Sequence, residues 1–182
     1  RLQRSLILKA QCTICVDTNY INWCHAELPG RRIWDTRLSY IPNYADADHF
    51  RPSEDKRIVD PNAPTILFPR RVSDLTLERQ GRGAGLLIQA VEILESQGMS
   101  PRVIFAGRGR LQGELEAWAE RRNMGDRVEV TEVTLDEMPG LYARADVVVV
   151  PSLEHEGTSL SAVEGLVSGR PVVVSHIGGL GN

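Results

Sequence analysis

The chain has 182 residues, 42% of them hydrophobic and 25% charged, with a formal net charge of −3. That composition excludes a disordered polypeptide, and the charge gives no general pull toward nucleic acid. No apolar run approaches the roughly 20 residues that a membrane-crossing helix needs.

Residues 5–10 read as helical, residues 11–16 as a short strand, and residues 17–27 as a helix stopped by Pro29-Gly30. Residues 38–41 form a second short strand ending at the turn signal Pro42-Asn43. Residues 44–64 are polar and rich in Pro and Asp, which is linker composition, with Phe50, Ile58 and Val59 as the apolar anchors. Cys12, Cys15 and Cys24 do not make a disulfide framework. An odd spacing puts Cys12 and Cys15 on opposite faces of a strand, and Cys24 and His25 are adjacent, without a usual ligand gap. They read as small buried thiols in a reduced compartment, and no metal is expected.

After Pro64 the alternation becomes regular. Strands are predicted at 65–68, 102–106, 127–131, 146–150 and 171–175. The helix at 83–96 carries Leu86, Leu87, Ala90, Val91 and Leu94 at helical spacing, and that at 111–122 turns Leu111, Leu115 and Trp118 inward. Two more follow, at 136–143, started by Leu135-Asp136, and at 159–167, burying Leu160, Val163 and Val167. Val/Ile-rich, non-alternating strands joined by helices predict an α/β fold, a Rossmann-like parallel sheet with helices on both faces.

In open parallel sheets ligands sit beyond the carboxyl ends of the strands. Those ends carry Arg70-Arg71, then Gly107-Arg108-Gly109, then residues 152–159, then residues 175–179, and together they suit an anionic, hydroxyl-rich ligand. The most informative stretch is 156–164. Glu156 and Glu164 bracket Gly157, Thr158, Ser159 and Leu160 at a helix start, and their backbones lie about 12 Å apart at helical rise. Unpaired N–H groups of a first helical turn suit a phosphate, and carboxylates on either side accept from hydroxyls. Glu164 lies one turn after Leu160 and leans back toward the helix start. Arg70, Arg71 and Arg82 are the cationic candidates for a diphosphate. Gly107 and Gly109 are either a close approach to ligand or a tight turn. His155 and His176 read as structural or solvated, since no Ser/His/Asp order or metal-ligand spacing accompanies them. Trp23, Trp34 and Trp118 are scattered and read as packing.

Together these residues resemble the nucleotide-sugar-binding half of the family-four, or group one, retaining glycosyltransferases of GT-B fold. The family's acidic-Gly-small-small-Leu run with a second Glu eight residues on is matched from Glu156 to Gly165. Its small-Gly-basic-Pro-Val run is matched by Ser168 to Val173. Upstream, Ile41-Pro42-Asn43, Asp46, Phe50 and Pro52 match another family pattern, and Arg71-Val72, Arg82-Gly83 and Leu86 to Ala90 match the next. Gly107 to Arg110 and Leu141 to Asp146 complete the set. Pro69-Arg70 departs from the family's usual Gly before Arg71, and Arg82 stands where Lys is commoner.

The resemblance implies a retaining transfer from a nucleoside-diphosphate sugar, with no cofactor, no required metal and no dedicated protein base. It assigns Glu156 to the transferred sugar and Glu164 to the ribose. Gly157, Thr158, Ser159, Leu160, Gly107 and Gly109 go to the donor, and Arg71 and Arg82 to the leaving diphosphate. It implies a tail of an acceptor-binding domain at 1–45, a linker at 46–63 and the donor domain at 64–182. The chain begins with Arg1 and reads as a piece of something longer, lacking the family's last strand and closing helix. The expected partners are the nucleotide-sugar donor and a glycan, lipid or small-molecule acceptor, with no nucleic acid. The expected place is the cytoplasm, any peripheral membrane contact falling to the absent domain. A nucleotide-sugar epimerase on the same scaffold and a non-catalytic binding module are the alternatives; product formation without acceptor would mark the epimerase.

Overall fold

The structure, a computed structural model, describes residues 2–28, 37–54, 58–72, 81–154 and 156–181. The Pro29-Gly30 stop, Trp34, His155 and the loop at 73–80 therefore lie outside the described residues.

The first part holds α1 (Leu2–Lys9), β1 (Thr13–Cys15), α2 (Thr18–Glu27) and β2 (Leu38–Tyr40). β1 and β2 pair in parallel, Thr13 opposite Leu38 and Cys15 opposite Tyr40. Asp17 starts α2 because its carboxylate accepts the Tyr20 N–H at 2.8 Å, satisfying one orphan donor of the first turn. Ile7, Cys24 and Leu28 are the buried centre of this small layer. Cys12 is exposed and Cys15 buried, as the strand period requires.

The second part is one sheet of five parallel strands. In chain order it runs β3 (Thr65–Phe68), α3 (Ala84–Ser96), β4 (Arg102–Ala106), α4 (Gln112–Arg121) and β5 (Val128–Thr131). It continues with α5 (Met138–Arg144), β6 (Val147–Val150), α6 (Leu160–Val167) and β7 (Val172–Val174). The spatial order is β5-β4-β3-β6-β7, with every pair parallel. The order reverses at β3, so the crevice that such a sheet offers a ligand opens beyond the carboxyl ends of β3 and β6.

β3 and, past Arg102, β4 are buried on both faces, which is why apolar residues fill them without alternation, whereas β5 is half-buried and the edge strand β7 exposes Val173 and Val174. Ile66, Phe68, Val103 and Phe105 point to one side, where Leu87 and Val91 of α3 and Leu115 and Trp118 of α4 cover them. Leu67, Ile104, Val148 and Val150 point to the other, against Leu141 and Tyr142 of α5 and Ala162 of α6. Each fully buried Leu, Val or Phe in these layers contributes about 1.5–3 kcal/mol.

Several expected inward faces are corrected. In α3 the buried track is Ala84, Leu87, Ile88 and Val91, while Leu86 is 43% exposed and Ala90 faces solvent. A helix with Leu-Leu-Ile in a row can present only part of that run to one sheet. Leu160 is 51% exposed, and Ala162 and Gly165 are the α6 residues pressed on the sheet instead. Of the three linker anchors only Phe50 is one. It is buried and packs edge-on to Tyr142, ring centroids 5.7 Å apart, whereas Ile58 is 95% exposed and Val59 50%. α5 begins at Met138, later than expected, after a separate 3-10 turn at Leu135–Glu137 that the Thr134–Glu137 capping box starts. Gly83 starts α3 with φ 83°, and a Cβ there would lie 1.9 Å from the Pro151 carbonyl oxygen, so only glycine fits. Among the described residues no helix is long and apolar enough to cross a membrane.

Candidate functional site

Where β3 ends, Pro69 turns the chain and Arg70 reaches across to the loop that follows β6. Its Nη2 donates to Glu156 Oε1 at 2.7 Å and its Nη1 donates to Ser159 Oγ at 3.2 Å. The Arg70 and Glu156 side chains are only 4% and 14% exposed. Arg82, from the residue before Gly83, reaches the same Glu156 oxygen at 3.4 Å and is itself 41% exposed. The Ser152 hydroxyl donates to Glu156 Oε2. Burial by itself raises the Glu156 pKa, but the hydrogen bonds from Arg70 and Ser152 and the charges of Arg70 and Arg82 outweigh it. The net result holds the carboxyl below its ordinary value, as a carboxylate.

The start of α6 is braced from several sides. Ser159 stands at its N-cap with extended backbone, but its hydroxyl is given to Arg70 and makes no cap bond. The first-turn N–H groups have no partner inside the helix. Gly179 N–H donates to the Glu156 carbonyl at 2.7 Å. Asn43 Nδ2 donates to the Thr158 carbonyl at 2.6 Å, and the Thr158 hydroxyl donates to the Val16 carbonyl. A Cβ on Gly157 would meet Val16 at 2.9 Å. The loop after β6 is thus held between β1, the crossing at Asn43 and the turn after β7.

Two hollows adjoin here. One of about 460 Å³ is lined by Arg70, Arg71, Arg82 and residues 156–161. The other, about 760 Å³, holds Glu164 and is mostly apolar, with Phe50, Pro42 and Leu135 on its walls. Val16, Asn43 and Leu160 belong to both. The two carboxylates therefore open on neighbouring hollows with Leu160 between them. Glu164 accepts from the Tyr142 hydroxyl at 2.7 Å, and the same hydroxyl lies 3.1 Å from the Ser161 carbonyl. Burial, then the Glu164 charge, push the Tyr142 pKa far up, so the phenol stays neutral and donates. A third hollow of about 740 Å³ opens at the amino ends of β3, β4 and β5, away from these loops. Its charged groups are engaged locally, Arg144 with Glu129 and Asp146 with the Thr65 N–H.

Of the ten residues singled out for the donor, Glu156, Arg71, Arg82, Gly157, Thr158, Ser159 and Leu160 line the smaller hollow, and Glu164 and Leu160 the larger. Gly107 and Gly109 line neither. A Cβ on Gly107 would lie 2.4 Å from the Arg70 carbonyl oxygen, so this glycine lets the end of β4 pass the end of β3. The adjacent turn is tied to Val72 by the Val72 N–H to Arg108 carbonyl bond and the Leu111 N–H to Val72 carbonyl bond. Arg71 is exposed at the rim, while its neighbour Arg70 holds the buried position. Sequence reasoning missed Ser152 and Tyr142 as partners of the two carboxylates. Tyr142 stands in the Leu141 to Asp146 run, but nothing local says that its hydroxyl meets a helix 22 positions on.

A family model described as glycosyl transferases group 1 matches residues 63–182. The chain belongs to the group 1 glycosyltransferases. Among the relatives of this group 1 chain, the D-inositol 3-phosphate glycosyltransferase of Xylanimonas cellulosilytica is 32% identical over 160 residues, covering 79% of the chain and 36% of that protein. The 2-deoxystreptamine glucosyltransferase of Streptomyces kanamyceticus is 29% identical over 152 residues, covering 79% and 38%. The GDP-mannose-dependent alpha-(1-6)-phosphatidylinositol dimannoside mannosyltransferase of Mycobacterium tuberculosis is 31% identical over 153 residues, covering 82% and 38%. The group 1 chain thus spans well under half the length of these relatives. Sucrose-phosphate synthase from Thermosynechococcus elongatus superposes with a TM-score of 0.75 at 22% identity, over 98% of the chain and 44% of that structure. Anabaena HepE, solved in complex with UDP-glucose, does so with a TM-score of 0.70 at 20% identity, over 94% and 46%. At that identity the likeness shows the fold, a GT-B Rossmann-like domain.

Proposed function

We propose that the chain is the donor-binding part of a retaining glycosyltransferase that uses a nucleoside-diphosphate sugar. The observation that carries this reading is the meeting, on one hollow, of a half-buried ionised Glu156, a helix start without a side-chain cap and the more exposed Arg71 and Arg82. The Arg70 charge cancels that of Glu156, so the hollow keeps positive character for a diphosphate. First-turn N–H groups add donors to an anion at no cost in side-chain entropy. Glu156 then accepts from hydroxyls of the transferred sugar, and Glu164, held by Tyr142, accepts from the ribose. In the reaction the bond from the sugar C1 to the diphosphate oxygen breaks and a bond from the acceptor oxygen forms. The acceptor proton passes to the leaving diphosphate, whose charge Arg71 and Arg82 stabilise.

The organisation that goes with this reading assigns 1–45 to an acceptor-binding domain, 46–63 to the connection and 64–182 to the donor domain. The partners are a nucleotide-sugar donor and a glycan, lipid or small-molecule acceptor, and the work is done in the cytoplasm. Support for a nucleotide-sugar donor comes from HepE, solved with UDP-glucose, and from the mycobacterial relative named for GDP-mannose. The test is the thermal stabilisation of the intact protein by UDP-, GDP- and ADP-sugars. At hundredfold excess over Kd a true donor adds about 2.7 kcal/mol, a shift of several degrees. No shift with any of them removes the reading.

A further inference from the structure

The Arg70 guanidinium is the least exposed charge in the site, yet it faces a place where the group's pattern calls for glycine. Its two N–H arms end on two different residues, Glu156 Oε1 at 2.7 Å and Ser159 Oγ at 3.2 Å. Those residues lie in the loop that brings the chain from β6 to α6, Glu156 within it and Ser159 at its end. Arg82 touches the same carboxylate oxygen more loosely, at 3.4 Å, and from a half-exposed position. Two cations on one oxygen are not equal partners. The buried one is bidentate across the loop and is already desolvated; the outer one can turn to a ligand without leaving Glu156 unpaired.

We propose that Arg70 is a positioning residue that fixes the Glu156 carboxylate and the Ser159 hydroxyl in one rigid arrangement, and so leaves Arg71 and Arg82 to the diphosphate. This rests on the donor reading of the same hollow. Three consequences follow from the geometry. Glu156 presents its sugar-binding lone pairs in a single orientation, with Oε1 directed at Arg70 and Oε2 at the Ser152 hydroxyl. Ser159 accepts from Arg70, so its own O–H is turned outward as a donor to an anion. With both Nη groups turned to the loop, Arg70 acts on the ligand through Glu156 and Ser159.

The test is a double-mutant cycle in the intact protein, read as hydrolysis of whichever of UDP-, GDP- or ADP-glucose stabilises it, with Kd for the matching nucleoside diphosphate alongside. Arg70→Gln is expected to lower kcat on the order of 30-fold while changing the nucleoside diphosphate Kd by less than about threefold. Arg82→Gln is expected to raise that Kd at least tenfold and, because Arg82 stabilises the leaving diphosphate, to lower kcat as well. In a Glu156→Gln background, Arg70→Gln is expected to cost almost nothing further, because its partner is already neutral. That double variant also removes both charges of the Arg70–Glu156 pair, so it keeps the fold where Arg70→Gln alone leaves the carboxylate only its looser contact with Arg82. Arg70→Lys, which keeps charge but not the two-armed reach, is expected to recover only part of kcat. Independent, multiplying losses from Arg70→Gln and Glu156→Gln, or a Kd loss matching that of Arg82→Gln, would overturn the positioning role. Failure of all three nucleoside diphosphates to bind the wild type would instead overturn the donor reading.

Discussion

At the scale of single residues the site is a matter of which atoms are already taken. Glu156 is ionised because Arg70, Ser152 and Arg82 together outweigh its burial. Its folded-state pKa lies below its unfolded value, so the stabilisation it contributes is complete above the unfolded pKa, about 4.3, and is lost as pH falls through the folded one. A carboxyl titration of Glu156 by NMR is therefore expected to have its midpoint below the ordinary 4.5, and donor binding to be flat from about pH 7 down to about pH 5. A midpoint above the ordinary value would mean that the Arg70 contact is not made in solution. Tyr142→Phe removes the hydroxyl that Glu164 accepts from; about 1 kcal/mol of stability should go with it, together with a several-fold weaker donor Kd. The loop and helix that carry the two glutamates were legible from sequence because a strand–turn–helix frame is a local signal, but the two carboxylates open on adjacent hollows rather than one. The choice between Arg70 and Arg71 was not. Adjacent residues leave a strand end in opposite directions, and only the loop after β6 decides which guanidinium finds a carboxylate.

At the scale of elements, chain order and type were readable throughout the sheet because β-rich apolar runs and helical periods alternate cleanly after Pro64. The faces were less readable. α3 carries more apolar residues than one sheet face can cover, so Leu86 is left out and Ile88 taken in. The Gly107 turn was ambiguous between ligand approach and close packing, and the structure places it against the Arg70 backbone. Gly107→Ala puts a methyl 2.4 Å from that carbonyl oxygen, which forces the ends of β3 and β4 apart. The expected cost is about 1–3 kcal/mol, read as a lower urea midpoint, together with a loss of turnover as Arg70 is displaced. Wild-type stability in this variant would show that the two strand ends have slack. In the polar connection, composition alone could not separate Phe50, which fills a niche beside Tyr142, from Ile58, which stands in solvent.

At the scale of the whole molecule, the loop that carries Glu156 is braced by β1, Asn43 and the turn after β7, parts far apart in sequence. That long-range bracing has no sequence signature, because each contact ends on a backbone carbonyl, met by a small polar side chain at Asn43 and Thr158 and by a backbone N–H at Gly179. It also means that donor binding should stiffen the junction between the two parts of the chain. The 182-residue chain is expected to bind nucleoside diphosphate with an affinity within about tenfold of the intact protein's, and to glycosylate no acceptor; transfer by this chain alone would contradict the domain assignment. The central claim is that two carboxylates, Glu156 in the loop before α6 and Glu164 within α6, hold the two ends of an activated sugar. The most direct measurement is donor Kd and single-turnover transfer rate for Glu164→Ala and Glu156→Ala of the intact protein, side by side. The account predicts that Glu164→Ala raises Kd at least tenfold with little change in rate, and that Glu156→Ala slows transfer about a hundredfold or more, of the order that loss of one oriented polar contact costs, with Kd nearly kept. Unchanged Kd and rate in both variants would contradict it.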